Sequence, residues 1–334
     1  MTETTVLLPT HLRDRIEPAF AAIATAAGRS LRIVPFAADG TIDGSPAAAE
    51  ALFRYFPADR SNTAQFGATQ FRQVIQQAPA LRWVQTNSSG IDYLLKIPEV
   101  MERDLIVTNG SSVNQGPMAE TVLGLLLAVT RRIHLHVRHQ VKHEWQRYQK
   151  GELRGSTIVI VGYGHIGREV GRLCDAFGMR VTVVRKRVTE PSPYAAVVYP
   201  PEQLTEALAV ADFVVLVSAT AADQQPLIGV AELAAMKPTV WLINVGRGAL
   251  VDDEALIAAL QTEQIAGAAL DVFRQEPLPA EHPYWDLPNV LLTPHNSASS
   301  PWQDQRTIEH FIENFRRWLA AEPLLNRVDL HRGY

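Results

Sequence analysis

The run Ser156-Thr-Ile-Val-Ile-Val-Gly-Tyr-Gly-His-Ile-Gly167 constrains the fold more than any other stretch of this chain. Five β-branched residues in succession suit a strand buried on both faces, and the run stops abruptly at Gly162-x-Gly164-x-x-Gly167. A helix-compatible segment, Arg168 to Phe177, follows at once. This is the strand–turn–helix setting that a dinucleotide-binding fingerprint requires. Gly162 permits a tight turn, and Gly164 lets the backbone approach a pyrophosphate. Gly167 lets the helix pack closely on the strand, with the free N–H groups of its first turn facing the phosphates.

The next strand carries the cofactor argument further. In an NAD-binding unit, an acidic residue about 20 positions past the glycines hydrogen-bonds the ribose 2′-OH. Here the strand Arg180-Val-Thr-Val-Val184 runs into Arg185, Lys186 and Arg187, with no carboxylate at its tip. Guanidinium groups bind a 2′-phosphate through charge-assisted and often bidentate hydrogen bonds, whereas a carboxylate would repel it. The cluster predicts NADP(H) as the preferred cofactor, with NAD(H) possible; a solvated charge cluster on a loop is the competing explanation.

The chain of 334 residues has the length of two domains. Strand candidates in the first third are Thr5–Leu8, Leu31–Pro35, Ala51–Tyr55, Leu81–Thr86 and Leu105–Thr108, with helices over Leu12–Ala27, Thr63–Ala78 and Ile97–Arg103. Such alternation predicts a parallel sheet covered on both faces. A long helix is expected from near Gln115 through Ile133. A second α/β unit follows, with six strands expected at Thr157–Val161, Arg180–Val184, Phe213–Val217, Thr239–Asn244, Gly267–Asp271 and Val290–Leu292. The proline-rich segment Thr189–Pro201 reads as a loop. The last helix, Gln305 to Ala320, has no place in the second sheet and is expected to return to the first domain. The expected division is 1–114 plus 296–334 for a substrate domain and 115–295 for a dinucleotide-binding domain.

Net charge of −4 and pI near 6.2 argue against nucleic-acid or anionic-membrane partners. The single cysteine, Cys174, excludes an internal disulfide framework and suits a reducing cytoplasm. No secretory signal is expected at the N-terminus, and the apolar stretch Thr121–Val129 is too short to span a bilayer. No Cys/His cluster has zinc-ligand spacing, and His134, His136, His139 and His143 fall on a polar helical stretch, so no metal is expected.

Ligands of open α/β sheets bind outside the carboxyl ends of the strands. Three polar residues fall there in the second domain: Arg247 after Trp241-Leu-Ile-Asn244, Glu276 after Leu270-Asp-Val272, and His295 after Val290-Leu-Leu-Thr-Pro. An arginine offers a planar fork to a carboxylate or carbonyl, and a histidine transfers a proton near neutral pH. A glutamate beside that histidine orients the imidazole and favours its charged form. Each also has a structural use, as an ion pair, a loop cap or a buried histidine bonded to backbone.

These residues carry a family likeness. With Ser88-Ser-Gly-Ile-Asp92, Met118-Ala-Glu120, the Gly162–Gly167 fingerprint, Asn244-Val-Gly-Arg-Gly248, Leu270-Asp-Val272, Glu276-Pro277, Asn289–His295, and Asn326-Arg-Val-Asp329 before Gly333-Tyr334, the chain resembles the D-isomer-specific 2-hydroxyacid dehydrogenases over nearly its whole length. The resemblance implies two doubly wound parallel-sheet domains, one flavodoxin-like and one Rossmann, with the active site in the cleft between them. It implies that Arg247 binds a 2-oxo acid, that His295 is the acid/base and that Glu276 is its partner. Backbone N–H groups around Ser88, Ser89 and Gly90 would hold the substrate carboxylate, and Asp271 would look toward the nicotinamide amide. Cofactor contacts would also come from Met118, Gly162, Tyr163, Gly164, His165, Ile166, Gly167, Arg185, Lys186, Arg187, Ser218, Ala219, Val245, Gly246, Arg247, His295 and Ser297.

Many members of the family carry a His-x-Pro-Leu-Thr run where this chain has Val217-Ser-Ala-Thr-Ala221. Arg185 stands where NAD-preferring members place Asp, in line with the charge argument. The implied activity is reduction of a small 2-oxo acid, in the manner of glyoxylate or hydroxypyruvate reductases. Two rivals share the architecture: formate or phosphite dehydrogenases, of which the formate enzymes place Gln where Glu276 stands, and dinucleotide-sensing corepressors, for which disordered tails are expected. The apolar helix and the polar arm His139–Arg154 with Trp145 predict a twofold homodimer. Pocket size is expected to depend on loops around Tyr55, Trp285 and Trp302.

Overall fold

The computed structural model describes residues 2–55, 67–91, 93–103, 105–218 and 225–330. The chain divides into two compact units, Met1–Asn114 with Ser300–Tyr334, and Gln115–Ser299.

In the first unit the chain runs β1 (Thr2–Pro9), α1 (Arg13–Ala26), β2 (Arg29–Phe36), β3 (Ala49–Arg54), α2 (Ala68–Gln76), β4 (Trp83–Thr86), α3 (Pro98–Glu102) and β5 (Ile106–Thr108). The five strands form one parallel sheet in the order β2-β1-β3-β4-β5, the flavodoxin-like order. Alternate residues serve opposite faces, as the period of two in a strand demands. Leu7, Val34, Leu52 and Val84 enter one core cluster, with Phe71 and Val74 of α2. Val6, Leu8, Ala51, Phe53 and Trp83 enter the other.

α4 (Ser111–Thr130) leads into the second unit. It starts four residues before the expected Gln115 and stops short of Ile133, because Arg132 takes a left-handed conformation (φ 58°) and begins a separate helix, α5 (Ile133–Val141). The second sheet follows through β6 (Thr157–Val161), α6 (His165–Ala176), β7 (Arg180–Val184), β8 (Val197–Tyr199), α7 (Leu204–Val210), β9 (Phe213–Leu216), α8 (Val230–Ala235), β10 (Trp241–Asn244), α9 (Asp253–Gln261), β11 (Gly267–Leu270) and β12 (Val290–Leu292). α10 (Gln303–Leu319) then belongs to the first unit, where Ile308, Phe311 and Phe315 enter the core beside Phe20 and Phe53. Phe20 stacks on Phe315 at 4.0 Å between ring centres. Burying each such ring stabilises the unit by about 1.5–3 kcal/mol, which explains why the last helix returns.

The second sheet has seven parallel strands, in the order β12-β11-β10-β9-β6-β7-β8, rather than the six expected. The extra strand is β8, inside the segment read as a loop. It pairs with β7 at the sheet edge (Thr182 opposite Val197, Val184 opposite Tyr199) and is only half-buried. Ile158 and Ile160 pack into the core on one face, Val159 and Val161 into that on the other. The boundary after β12 also lies four residues later than expected. Asp271 accepts hydrogen bonds from the N–H groups of Asn296 and Ser297, and Thr121 Oγ1 donates to Ser297 O, so these residues stay with the second unit.

Candidate active site

The strand order reverses at β6: β7 and β8 build to one side of it, and β9 to β12 to the other. This is the topological switch point at which doubly wound sheets bind ligands. Val161, the last residue of β6, lies in register with Val184 and Leu216, and Leu216 lies in register with Asn244. Asn244, Leu270 and Leu292 continue the row. The fingerprint turn, the basic cluster and the segments bearing Arg247, Glu276 and His295 therefore all leave the sheet along one edge.

The fingerprint glycines fit a dinucleotide sterically. Gly162 has φ 98°, and a Cβ there would lie 2.8 Å from Ser218 N. A Cβ on Gly167 would lie 2.2 Å from Gly162 O, so only glycine lets α6 close on the turn. Gly164 differs, since a Cβ there would meet nothing within 4 Å. Its lack of a side chain leaves open space before the N-terminus of α6, which begins at His165 and has no acidic residue in its first turn. An open cradle at the N-terminus of a helix fits a pyrophosphate. His165 and Gly164 are exposed and Ile166 and Ser218 are half-buried, whereas Met118 and Val245 are packed in the core. Tyr163 is also buried. Its hydroxyl donates to Pro193 O, and burial pushes its phenol up to about 12, so it remains a donor. Ala219 and Asp92 lie outside the described residues, as do Gly333 and Tyr334.

At the tip of β7, Arg185 is 9% exposed in its side chain and pairs with Glu190, while Arg187 reaches the other oxygen of the same carboxylate. Lys186 is exposed. No strand-end spacing marks Glu190 in the sequence.

Arg247 is presented by a turn that Asn244 builds from within. Asn244 Nδ2 donates to Arg247 O at 2.9 Å, and its Oδ1 accepts from Gly246 N at 3.1 Å. A Cβ on Gly246 would lie 2.8 Å from Leu250 Cδ1, and one on Gly248 only 2.0 Å from the carbonyl carbon of Phe273. Gly248 therefore lets the Arg247 turn lie directly on the loop that carries Glu276. Arg274 Nε donates to Val251 O at 3.0 Å and fastens that loop from the other side. Arg247 itself is half-buried, with Nη1 donating to Gly246 O at 2.8 Å.

Glu276 divides its carboxylate. Oε1 accepts from Phe273 N at 3.0 Å, and Oε2 lies 2.6 Å from His295 Nδ1. His295 adopts a left-handed backbone (φ 50°), held by its N–H to Thr293 O at 3.1 Å. Both side chains keep solvent contact, at 38% for His295 and 30% for Glu276. With Nδ1 engaged, Nε2 is the ring nitrogen left to face a reactant.

Asp271 is bonded within its own unit. It is fully buried, and its Oδ1 accepts from Thr293 Oγ1 at 2.6 Å and from Asn296 N at 3.2 Å, while Oδ2 accepts from Ser297 N at 3.1 Å. Both oxygens thus brace the turn on either side of His295. Sequence reasoning missed this because Thr293, Asn296 and Ser297 lie over twenty residues away in the chain.

In the first unit, Ser88 N donates to Thr86 Oγ1 at 3.3 Å, and Ser88 Oγ donates to Gly90 O at 2.8 Å. Asn109 Nδ2 holds Ser89 O at 2.9 Å, and Asn114 Nδ2 holds Ser89 Oγ at 3.1 Å. Tyr55 is buried in the core of the unit, while Trp285 and Trp302 are exposed. Among the described residues no group of His, Cys, Asp and Glu could hold a metal ion, and no helix is long and apolar enough to cross a membrane.

Comparison with known proteins bears on the same residues. The sequence model of the D-isomer specific 2-hydroxyacid dehydrogenase NAD binding domain matches residues 123–297, which include the fingerprint, Arg247, Glu276 and His295. The chain is 36% identical over 262 residues to the glyoxylate reductase of Thermofilum pendens, covering 75% of each protein. It is 32% identical over 270 residues to the D-3-phosphoglycerate dehydrogenase of Methanocaldococcus jannaschii, covering 79% of this chain and 50% of that protein. Its fold matches the crystal structure of a D-isomer specific 2-hydroxyacid dehydrogenase from Xanthobacter autotrophicus, in complex with NADPH and MES, with a TM-score of 0.80, 27% identity and full coverage of both chains. The domain match, the full-length likeness of fold and the strand-end trio agree: this chain belongs to the D-isomer specific 2-hydroxyacid dehydrogenase family and is a nicotinamide-dinucleotide-dependent oxidoreductase.

Proposed function

We propose that the chain reduces a small 2-oxo acid of the glyoxylate or hydroxypyruvate kind to the D-2-hydroxy acid, with NADPH preferred and NADH usable. The observation that carries this reading is the 2.6 Å contact between Glu276 and His295 Nδ1, on a turn next to the strand end that presents Arg247. The likeness to the Thermofilum pendens glyoxylate reductase supports the substrate class.

The nicotinamide, when bound, supplies a hydride from its C4 to the carbonyl carbon of the substrate. His295 Nε2 donates the proton that the carbonyl oxygen needs as it becomes a hydroxyl, while Glu276 keeps Nδ1 protonated and the ring in one orientation. Arg247 stabilises the negative charge developing on that oxygen with its planar guanidinium fork. In the first unit, which we assign to the substrate, the N–H groups of Ser89 and Gly90 are proposed to hold the carboxylate. The dinucleotide lies on the second unit, its pyrophosphate at Gly164 and its ribose at Arg185, Lys186 and Arg187. The basic tip of β7 and the NADPH in the Xanthobacter structure support NADPH over NADH.

We also read the chain as a homodimer, because Ile133, Val137, Val141 and Trp145 present exposed apolar surface along α5 and the arm after it, with Trp145 91% exposed. Light scattering is expected to give twice the single-chain mass; 36.9 kDa would contradict the dimer.

A panel of 2-oxo acids assayed with NADPH and with NADH tests the functional reading. Glyoxylate or hydroxypyruvate should give the highest kcat/KM, and NADPH should exceed NADH. Turnover of none of the 2-oxo acids would overturn the activity, and equal efficiency with both cofactors would overturn the 2′-phosphate argument.

A further inference from the structure

We propose that Glu190 is a built-in competitor for the 2′-phosphate: its carboxylate occupies the Arg185–Arg187 pair until that phosphate displaces it, and so it sets the margin between NADPH and NADH. The inference rests on the reading of the β7 tip as the ribose end of the cofactor site.

One carboxylate bridges two guanidinium groups here. Arg185 Nη2 donates to Glu190 Oε2, and Arg187 Nη1 donates to Glu190 Oε1 at 3.0 Å. Arg185 Nη1 turns to Ser192 Oγ at 3.2 Å and Pro191 O at 3.5 Å. The hydrogen bond from Arg187 and the charges of both arginines hold the Glu190 carboxyl below the usual carboxylate range. It is therefore ionised throughout the neutral range.

The loop bearing Glu190 is anchored where a cofactor-selecting element needs to be. Glu190 N donates to Arg187 O at 3.2 Å, and Ser192 Oγ to Glu190 O at 3.3 Å. Tyr163, inside the fingerprint, donates its hydroxyl to Pro193 O in the same loop. The carboxylate thus stands on the basic cluster and is tied back to the turn that faces the pyrophosphate.

An ordinary surface ion pair contributes little; here Arg185 is nearly enclosed while Glu190 is 36% exposed, so water screens the pair from the carboxylate side and a stronger anion can reach it. A 2′-phosphate carries roughly −1.5 to −2 charges at pH 7 and can replace a carboxylate of charge −1. A ribose 2′-OH cannot. With NADH, Glu190 stays in place and can accept from that hydroxyl, the task that an acidic residue at the strand tip performs in NAD-binding units. Five positions past Arg185, Glu190 returns to the site the carboxylate that the strand tip lacks.

The test is calorimetric binding of 2′,5′-ADP and of ADP to the full-length protein and to Glu190→Gln, with Glu190→Ala as a second variant. Removing the competitor should tighten 2′,5′-ADP binding by about three- to tenfold and should not tighten ADP binding. Unchanged or weaker 2′,5′-ADP binding in both variants, or equal tightening of both ligands, would overturn the proposal. Arg185→Ala separates this from the underlying reading. If Arg185→Ala costs 2′,5′-ADP no affinity relative to ADP, the 2′-phosphate reading itself fails. If that affinity is lost and the Glu190 variants still gain nothing, only the role of Glu190 fails.

Discussion

Glu276 holds His295 with one oxygen and its own loop with the other: Oε2 lies 2.6 Å from His295 Nδ1, and Oε1 accepts from Phe273 N at 3.0 Å. The same carboxylate therefore orients the imidazole and is itself oriented by backbone. Replacing it with Gln keeps the shape and removes the charge. A charged hydrogen bond contributes ~1.5–3 kcal/mol, so Glu276→Gln should lower kcat about 10- to 100-fold. Binding of NADPH, followed by fluorescence, should be unaffected. An unchanged kcat would remove Glu276 from the assigned role.

Gly248 is where the Arg247 turn meets the Glu276 loop. A methyl group there would lie 2.0 Å from the carbonyl carbon of Phe273 and 2.4 Å from Arg274 N, both backbone atoms. Backbone cannot swing aside as a side chain does. Gly248→Ala should destabilise the protein by about 1–3 kcal/mol or more and lower kcat/KM, because the two loops must part. A variant with unaltered thermal unfolding and full activity would show that the contact is not needed.

Asp271 braces the turn around His295 from the core. Asp271→Asn puts an amide nitrogen against backbone N–H groups of Asn296 or Ser297, leaving buried donors without acceptors. The cost should be about 1–3 kcal/mol of stability, together with a fall in kcat as His295 loses its position. Chemical denaturation and steady-state assay read the two effects. A fall in cofactor affinity alone, with stability and kcat preserved, would instead support the nicotinamide contact implied by the family resemblance.

Much of this site was legible because its signals are steric and local. Gly162, Gly164 and Gly167 mark a turn that few other residues can make, and Arg247, Glu276 and His295 each follow a short apolar strand. β8 escaped notice because a three-residue edge strand, half-buried and close to prolines, shows neither alternation nor a long apolar run. The break between α4 and α5 was invisible because an arginine, not a glycine, takes the left-handed position. The bonds of Asp271 and Glu190 depend on how loops fold back, one from over twenty residues away and one around prolines, and no periodicity encodes either.

Cys174 gives a check on the packing of α6. The residue is 1% exposed, and burial pushes its thiol up to about 12. At pH 8 the thiolate is therefore scarce and enclosed, and iodoacetamide should label the native protein far more slowly than the denatured chain. Equal rates would mean that α6 does not pack on the sheet as described.

The central claim is that His295 delivers the proton that accompanies hydride transfer. Single-turnover loss of nicotinamide absorbance, with enzyme in excess over NADPH and glyoxylate saturating, tests it most directly. His295→Ala should still bind NADPH and should slow the absorbance change by roughly 10²–10⁴-fold at saturating cofactor, the range for losing a general acid. A His295→Ala enzyme that turns over at the full rate would contradict the account.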